Sequence, residues 1–444
     1  MKTQLIFSFD TEDFTSCEAA DAILAEAEIL RRHGIRGCFC VVGLLAKQLK
    51  AWGRQDVIDA LAHHEIASHS WGHTYHPLIN EYTDIRDFSA AHDEVVRQET
   101  EALELLRETF SRERFFAACP PGNQKSYAAM YAYADMGIPI YADTVCDTPE
   151  GDGVHYCNVY HIDYTDAMES LFFHDCTDDE LRAVLDRFAG RRHAVLYTHP
   201  HFAMYSVHWD VLNYDKVNLR PFGEWITAPR RPQHETDNFY RNLDRIAAMA
   251  KEDDRFVITT YGQIAAELEA QPARVIRRED LPAIRAHLQN GLYPFAHGAS
   301  YSLYDLFHAC RAFLRGAQEY VCEKSYGFLS TPMSASRIRQ VTAEDLIFAS
   351  ENARAGAFLP EGLALEDGEI IGCADFLYAA LDILCGAASA EIVPGQPQLP
   401  SLDRLPQTRD LALAGTWRHS DDFSDTYLSN RLRLQSWTMR FWAE

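Results

Sequence analysis

The sequence predicts an α/β fold in which parallel strands are joined by helices. Over the first 270 residues, short apolar segments alternate with segments of helical periodicity. This alternation is typical of parallel strands with helical crossovers. Acidic or histidine side chains directly follow several of the apolar segments, at the strand ends where such sheets usually carry their active residues.

The first four elements show the alternation most clearly. Residues 4–9 are predicted as a strand that leads into an acidic loop, and residues 18–33 as a helix that Gly34 ends. Residues 35–42 combine apolar, aromatic and β-branched side chains, which favours a buried second strand. Residues 45–62 are predicted as the second helix.

The alternation continues to about residue 268. The further predicted helices are 88–108 and 127–136, and the further predicted strands are 115–118, 138–141, 194–197 and 256–260. Residues 200–233 are irregular and rich in aromatic side chains. A connection of this length is more often functional than idle, so we expect a substrate lid or a contact surface for the C-terminal domain.

The character of the sequence changes near residues 267–275, which predicts a catalytic domain at 1–270 and a C-terminal domain at 271–444. Residues 304–309 resemble residues 374–379, and each copy runs on through apolar residues to a glycine. This suggests a duplicated helical element in a mainly α-helical domain of open role. The alternating segment 430–440 is predicted as a strand or extended arm.

Composition excludes some classes of function. A net charge of −24 disfavours nucleic acid and anionic membranes as partners, since both require a basic face. No stretch approaches the length of a membrane span, and the N-terminus shows no signal-peptide pattern. The 11 cysteines are scattered without a Cys-x-x-Cys pair, which favours a reducing cytoplasm. The sequence leaves open whether the chain forms a homo-oligomer.

A pair of histidines points to a metal. His69 and His73 are four residues apart and would fall on the same side of a helical turn. A carboxylate from the acidic strand end at residues 10–13 could complete a set of two histidines and one carboxylate. Such a set leaves positions open for water and substrate, as a catalytic site requires.

Residues 2–268 resemble the polysaccharide deacetylase family, the NodB-homology carbohydrate esterases. The resemblance rests on four segments in order: residues 7–10, 34–43, 65–73 and 196–200. It implies a distorted (β/α) barrel of seven or eight strands. It also implies hydrolysis of an amide or ester, mostly of an N-acetyl group on a sugar or glycoconjugate, with a divalent metal, most readily Zn²⁺.

The resemblance also implies roles for individual residues. Asp10 would be the catalytic base, and His199 the general acid. Glu12, His69 and His73 would hold the metal, with Asp13 as the alternative to Glu12. The backbone N–H of Gly122 would contact the oxyanion. Asp143 would either orient His199 or form a turn. His76, His201 and His208 are expected to line the pocket without binding the metal.

The chain departs from the family pattern in its third motif. Cys119 stands before Pro120 where the family usually has an arginine that orients the base. Another arginine could replace it, or the base could be tuned differently; Cys119 itself is expected to be structural. Two alternative functions therefore stay open: a cyclic amide or urea hydrolase of the same fold, and a catalytically weakened protein that binds glycans.

Overall fold

The computed structural model describes residues 1–143, 153–215, 218–221, 224–352, 356–401 and 423–442. The chain divides into two compact units. The first unit contains residues 1–153, 159–270 and 413–425, as far as these are described. The second contains residues 154–158, 271–412 and 426–444.

The strands of the first 270 residues are short, apart from the first. In chain order they are β1 (Thr3–Thr11), β2 (Cys38–Val41), β3 (Glu65–Ser68), β4 (Ala117–Ala118), β5 (Ile140–Tyr141), β6 (Val154–Tyr156), β7 (Val159–His161), β8 (Asp166–Ala167), β9 (His193–Thr198), β10 (Tyr214–Asp215), β11 (Asn218–Leu219) and β12 (Phe256–Ile258).

Helices connect these strands. They are α1 (Ala20–Arg32), α2 (Gly43–Ala51), α3 (Gln55–Leu61), α4 (Ile79–Thr83), α5 (Phe88–Phe110), α6 (Tyr127–Asp135), α7 (Glu169–Phe172), α8 (Asp178–Phe188), α9 (Pro200–Met204), α10 (Trp209–Asn213), α11 (Gln233–Glu252) and α12 (Tyr261–Glu269). The predicted single helix at 45–62 is wrong: Gly53, with φ of +69°, separates α2 from α3.

The main sheet of the first unit is parallel throughout. Its strand order is β8-β9-β1-β2-β3-β4-β5-β7, and β12 pairs with the beginning of β1. The predicted (β/α) architecture is therefore confirmed by the strand pairing. Among the described residues no ladder joins β7 to β8, so the ring of strands is distorted and open at that point.

The central strand β1 explains where the polar residues gather. Leu5, Ile6, Phe7 and Phe9 are buried, as expected for a parallel strand covered by helices on both faces. The register places Asp10 opposite Cys40 of β2, and Phe9 opposite Thr198 of β9. The carboxyl ends of β1, β2, β3 and β9 therefore meet at one edge.

The second unit contains two copies of one strand-helix-hairpin-helix-strand arrangement. The first copy is β13 (Val275–Arg277), α13 (Leu281–Leu288), β14 (Phe295–Ala296), β15 (Ser300–Tyr301), α14 (Leu303–Leu314) and β16 (Glu319–Val321). The second is β17 (Arg339–Val341), α15 (Ala343–Glu351), β18 (Leu363–Ala364), β19 (Ile370–Ile371), α16 (Cys373–Leu384) and β20 (Ala390–Ile392).

The two copies match in detail. The first and last strands of each copy pair antiparallel, and so do the two hairpin strands. Helices α14 and α16 each have 12 residues and are followed by Gly316 and Gly386 at positive φ. The duplicated helical element is thus confirmed, together with small sheets that accompany the helices.

The end of the chain differs from its prediction. Residues 430–440 are not an extended arm: α17 (Leu428–Leu434) is helical, and β21 (Arg440–Phe441) pairs antiparallel with β6. Leu428 and Leu432 are fully buried and lie one helical turn apart, which favours the helix. Among the described residues, no helix has both the length and the apolar character that a membrane span requires.

Candidate metal centre and active site

The carboxylate of Glu12 lies between two pairs of histidines. Its Oε2 contacts His73 Nε2 directly and lies 3.6 Å from His69 Nε2. The three side chains are buried, and their ligand atoms all lie within 4.8 Å of one another. The structure therefore brings together the three residues that the sequence predicts as metal ligands.

The two histidines reach this position from a loop, not from a helix. Residues 69–73 follow β3 as an irregular turn, in which Ser70 and His73 have φ of +67° and +54°. The backbone N–H of His73 donates to Ser70 Oγ at 3.0 Å, which holds the turn. The helical spacing inferred from the sequence is wrong, although the convergence of both imidazoles is as expected.

The orientation of His69 suits a metal ligand. Its Nδ1–H donates to the carbonyl oxygen of Cys119 at 2.8 Å, so Nε2 is the nitrogen that faces Glu12. His69 Nε2 is buried without a hydrogen-bond partner among the described residues. A ring nitrogen fixed by a backbone carbonyl, with the other nitrogen facing inward, is the usual arrangement in metal-bound histidines.

Electrostatics favour a positive charge at this point. Burial alone would raise the pKa of Glu12, but the charge of His73 and hydrogen bonds from the histidines outweigh it and hold the pKa well below its usual value. Burial likewise opposes a charge on His69, yet Asp10 and Glu12 raise the pKa of His69 to about 9. Glu12 is therefore ionised at neutral pH and attracts a cation.

Asp13 has a different task from Glu12. Its Oδ1 accepts hydrogen bonds from the backbone N–H of Thr15 at 2.9 Å, from the Thr15 hydroxyl at 2.7 Å and from the backbone N–H of Ser16 at 3.3 Å. These bonds close the turn after β1. Among the two acids that the sequence left open, Glu12 is the one that faces the histidines.

Asp10 and His199 face each other beside this centre. Asp10 Oδ2 lies 3.7 Å from His199 Nε2, and Asp10 Oδ1 accepts a hydrogen bond from the Tyr164 hydroxyl at 2.8 Å. Tyr164 thus holds the Asp10 side chain in place. No sequence pattern predicts this contact.

His199 is held by Glu169. Glu169 Oε1 accepts from His199 Nδ1–H at 2.7 Å and from the backbone N–H of His199 at 2.8 Å. Burial would lower the pKa of His199, but the hydrogen bond and charge of Glu169 outweigh it and raise this pKa to about 10. His199 is therefore protonated at neutral pH.

The expected role of Asp143 in orienting His199 is wrong. Asp143 Oδ2 lies 3.0 Å from the ammonium group of Lys125, and both side chains are buried. Because Glu169 occupies Nδ1 of His199, no position is left there for Asp143. Gly122 lies in the turn after β4 with φ of +55°, a conformation that favours glycine, and its oxyanion contact stays a prediction.

Two further histidines surround the other oxygen of Glu12. His208 Nδ1 lies 3.3 Å and His201 Nδ1 lies 3.7 Å from Glu12 Oε1. These two residues were expected to line the pocket without ligating a metal, yet they form a second group with Glu12 whose ligand atoms fit within 4.8 Å. His76 instead contacts Glu81 Oε2 through Nδ1 at 2.7 Å.

The aromatic connection after Pro200 packs beside the candidate metal ligands. Trp209 stacks edge-on against Phe14 at 4.6 Å between ring centroids and lies 6.0 Å from the ring of His73. Trp225 contacts Phe14 from another side at 5.6 Å. Nearby, a cavity of about 540 Å³ is lined by aromatic and cationic side chains, among them Trp71, Tyr75, Trp225, Lys47 and Arg220.

Sequence reasoning missed Glu169 and Tyr164. Glu169 follows the two-residue strand β8, so it obeys the same strand-end rule as Asp10, but a strand that short leaves no periodic pattern. Tyr164 lies between β7 and β8, where only pairing across the sheet brings it to Asp10.

No family model matches the chain, and no curated protein gives a significant match. Several solved structures do match the chain. A Mycobacterium smegmatis protein assigned to the polysaccharide deacetylases is 18% identical, with 61% of this chain and 91% of that chain covered and a TM-score of 0.39. Puue allantoinase is 15% identical, with coverage of 61% and 91% and a TM-score of 0.40.

A family 4 carbohydrate esterase from Streptomyces lividans is 13% identical, with 58% of this chain and 92% of that chain covered and a TM-score of 0.32. These three solved proteins are thus a polysaccharide deacetylase, an allantoinase and a carbohydrate esterase.

Proposed function

We propose that this chain is a metal-dependent hydrolase that cleaves an amide bond, most readily of an N-acetyl or related acyl group on a sugar or glycoconjugate. One observation carries the proposal: the buried set Glu12, His69 and His73 lies directly beside the facing pair Asp10 and His199.

Free thiols at every described cysteine are compatible with action in the cytoplasm.

The donor set fits a divalent cation. One carboxylate and two imidazoles match the protein ligands of catalytic zinc sites. The inward-facing Nε2 of His69 has no other partner among the described residues, and Cys119 fixes the ring through its carbonyl oxygen. Zn²⁺ is therefore the expected ion. When bound, the ion supplies Lewis-acid polarisation of the acyl carbonyl.

The chain itself supplies the proton transfers. Asp10 takes a proton from the attacking water through Oδ2, because Oδ1 is already engaged by Tyr164. His199 gives a proton to the departing amine through Nε2, since its Nδ1–H is bound to Glu169. A base and an acid that lie 3.7 Å apart can act on the same small reacting group from two sides.

The cavity that Phe14 lines, two residues along the chain from Glu12, suits a sugar. Trp71, Tyr75 and Trp225 offer aromatic faces on which sugar rings can stack, and Phe14 connects this cavity to the loop that carries Glu12 and Asp13. Concave sites with aromatic walls and a few polar groups are typical of small-molecule pockets.

The test measures acetate release from N-acetylated oligosaccharides by the full chain loaded with Zn²⁺. Asp10→Asn should keep the metal and slow release on the order of 10²–10⁴-fold, since it removes a base and no ligand. Asp254→Asn, at an exposed carboxylate, is the matched control and should leave release unchanged.

The alternatives give different results in the same assay. Ring opening of a cyclic ureide without acetate release would favour the cyclic amide hydrolase. Tight binding of oligosaccharides with bound metal and no turnover would favour the weakened glycan-binding protein. Either result would replace the proposed deacetylation.

A further inference from the structure

The second histidine pair has no task in the reaction described above. His201 and His208 come from the connection that follows β9, whereas His69 and His73 come from the turn after β3. Both pairs converge on the same carboxylate, but on different oxygens: Oε2 contacts His69 and His73, and Oε1 contacts His201 and His208.

We propose that His201 and His208 form a second metal site, and that Glu12 bridges two divalent cations through its two oxygens. The proposal rests on the proposed function, since it places the second ion beside the first. A carboxylate that bridges two ions is compatible with the separation of about 3.5–4 Å that is typical of two-metal sites.

The distances fit a coordinated ion. Two ligands bonded at about 2.0–2.1 Å to a tetrahedral ion lie roughly 3.3–3.4 Å from each other. Glu12 Oε1 lies 3.3 Å from His208 Nδ1 and 3.7 Å from His201 Nδ1, close to these separations. The site therefore needs little rearrangement to accept a cation.

Burial supports the same conclusion. His201 is almost completely buried, and its Nδ1 has no hydrogen-bond partner among the described residues. A buried polar atom without a partner is costly, so it indicates a missing ligand.

A third carboxylate adds negative charge to the region. Asp210 is buried, its Oδ1 has no hydrogen-bond partner among the described residues, and it is close enough to act electrostatically on Glu12, His73 and His208. With Asp10 and Glu12, three carboxylates thus lie around four imidazoles.

The experiment counts Zn²⁺ bound to the full chain. Metal-free protein is incubated with Zn²⁺ alone, desalted, and analysed by elemental mass spectrometry alongside native mass spectrometry. We expect two ions per chain in the unaltered protein and one in the His201→Ala/His208→Ala variant. The control His234→Ala, at an exposed histidine on α11, should keep two.

A second measurement reports on the bridge itself. With Mn²⁺ in place of Zn²⁺, two ions joined by Glu12 should give an exchange-coupled electron paramagnetic resonance signal. His208→Ala should convert it to the signal of a single ion. Because the His208 side chain is more than one third exposed, this single variant remains informative if the double variant does not fold.

The outcomes separate the two proposals. One ion in the unaltered protein, lost in His69→Ala/His73→Ala and unaffected in His208→Ala, overturns the second site and leaves the proposed function standing. Two ions that persist in His208→Ala also overturn the second site. No bound ion at all in the unaltered protein overturns both.

Discussion

Glu169 Oε1 accepts two hydrogen bonds from His199, one from the ring Nδ1–H at 2.7 Å and one from the backbone N–H at 2.8 Å. The same oxygen therefore fixes both the position of the residue and the orientation of its ring. Because the carboxylate also raises the pKa of His199 to about 10, it keeps the proposed acid protonated. In the proposed reaction, Glu169 is thus a positioning residue.

Replacement of Glu169 tests this role. Glu169→Gln should lower the pKa of His199, so the alkaline limb of the kcat/KM profile should move to lower pH, because activity is lost when the acid deprotonates. The rate should fall about 10- to 100-fold, by analogy with carboxylates that orient metal-bound histidines. The control Glu252→Gln, at an exposed position of α11, should change neither the alkaline limb nor the rate. If the alkaline limb does not move in Glu169→Gln, Glu169 has no role in the mechanism.

The two acids after β1 should differ in their effect on metal. Glu12→Gln should abolish stoichiometric binding of Zn²⁺, since Glu12 faces the histidines. Asp13→Asn should keep the metal and lower the free energy of unfolding, because the hydrogen bonds to Thr15 and Ser16 weaken. Dialysis against Zn²⁺ followed by thermal unfolding measures both quantities. The opposite order of metal loss would give the ligand role to Asp13.

These residues show how much of the candidate site could be predicted from the sequence. Asp10, Glu12, His69, His73 and His199 lie at or just after the carboxyl ends of apolar strands. The rule that active residues gather at these ends brings them to one edge without a structure. Glu12 was preferred to Asp13 only through the family resemblance; spacing alone leaves the choice open, because it depends on which carboxylate turns inward and which one closes the turn.

Other features depend on contacts across the sheet. The pairing of Asp143 with Lys125 and of His199 with Glu169 joins residues 18 and 30 positions apart through side-chain packing, which no local pattern records. The split of α2 from α3 at Gly53 and the helix at Leu428–Leu434 were misjudged for a different reason: periodicity over a short segment does not fix where a helix breaks.

Tyr164 should matter for the rate through Asp10. Tyr164→Phe removes the hydrogen bond to Asp10 Oδ1 and should lower kcat on the order of 10-fold or more, as expected for a hydrogen bond to a charged group. Zn²⁺ stoichiometry should not change. Tyr197→Phe is a matched control, because its ring contacts Tyr164 at 4.6 Å. Equal losses in both variants would indicate a packing effect instead.

His199 should be needed most by substrates with poor leaving groups. His199→Ala should slow amide hydrolysis on the order of 10²–10⁴-fold and leave activated esters much less affected, since an activated group departs without a proton. The measurement is the ratio of amide to aryl-ester hydrolysis, compared with the unaltered protein. A ratio that does not fall would leave His199 with a structural role only.

His64 should make stability depend on pH. It is fully buried, its Nδ1 accepts from the backbone N–H of Gly37 at 3.1 Å, and its Nε2–H donates to the carbonyl oxygen of Ala27 at 3.0 Å. This pattern requires the neutral ring, and burial lowers the pKa of His64 to about 4. The unfolded chain has the ordinary pKa of about 6.5, so it binds the proton first as the pH falls.

The contribution of His64 is therefore complete above pH 6.5 and is lost as the pH falls from 6.5 to 4. Because each pKa unit corresponds to about 1.4 kcal/mol, this shift contributes at most about 3 kcal/mol to the free energy of unfolding. Urea unfolding at intervals between pH 4 and pH 7.5 measures this slope. His64→Gln should be less stable at neutral pH and should show a shallower slope, whereas His63→Gln, at the exposed neighbouring position, should keep the slope of the unaltered protein. A slope that survives unchanged in His64→Gln would show that other buried groups cause it.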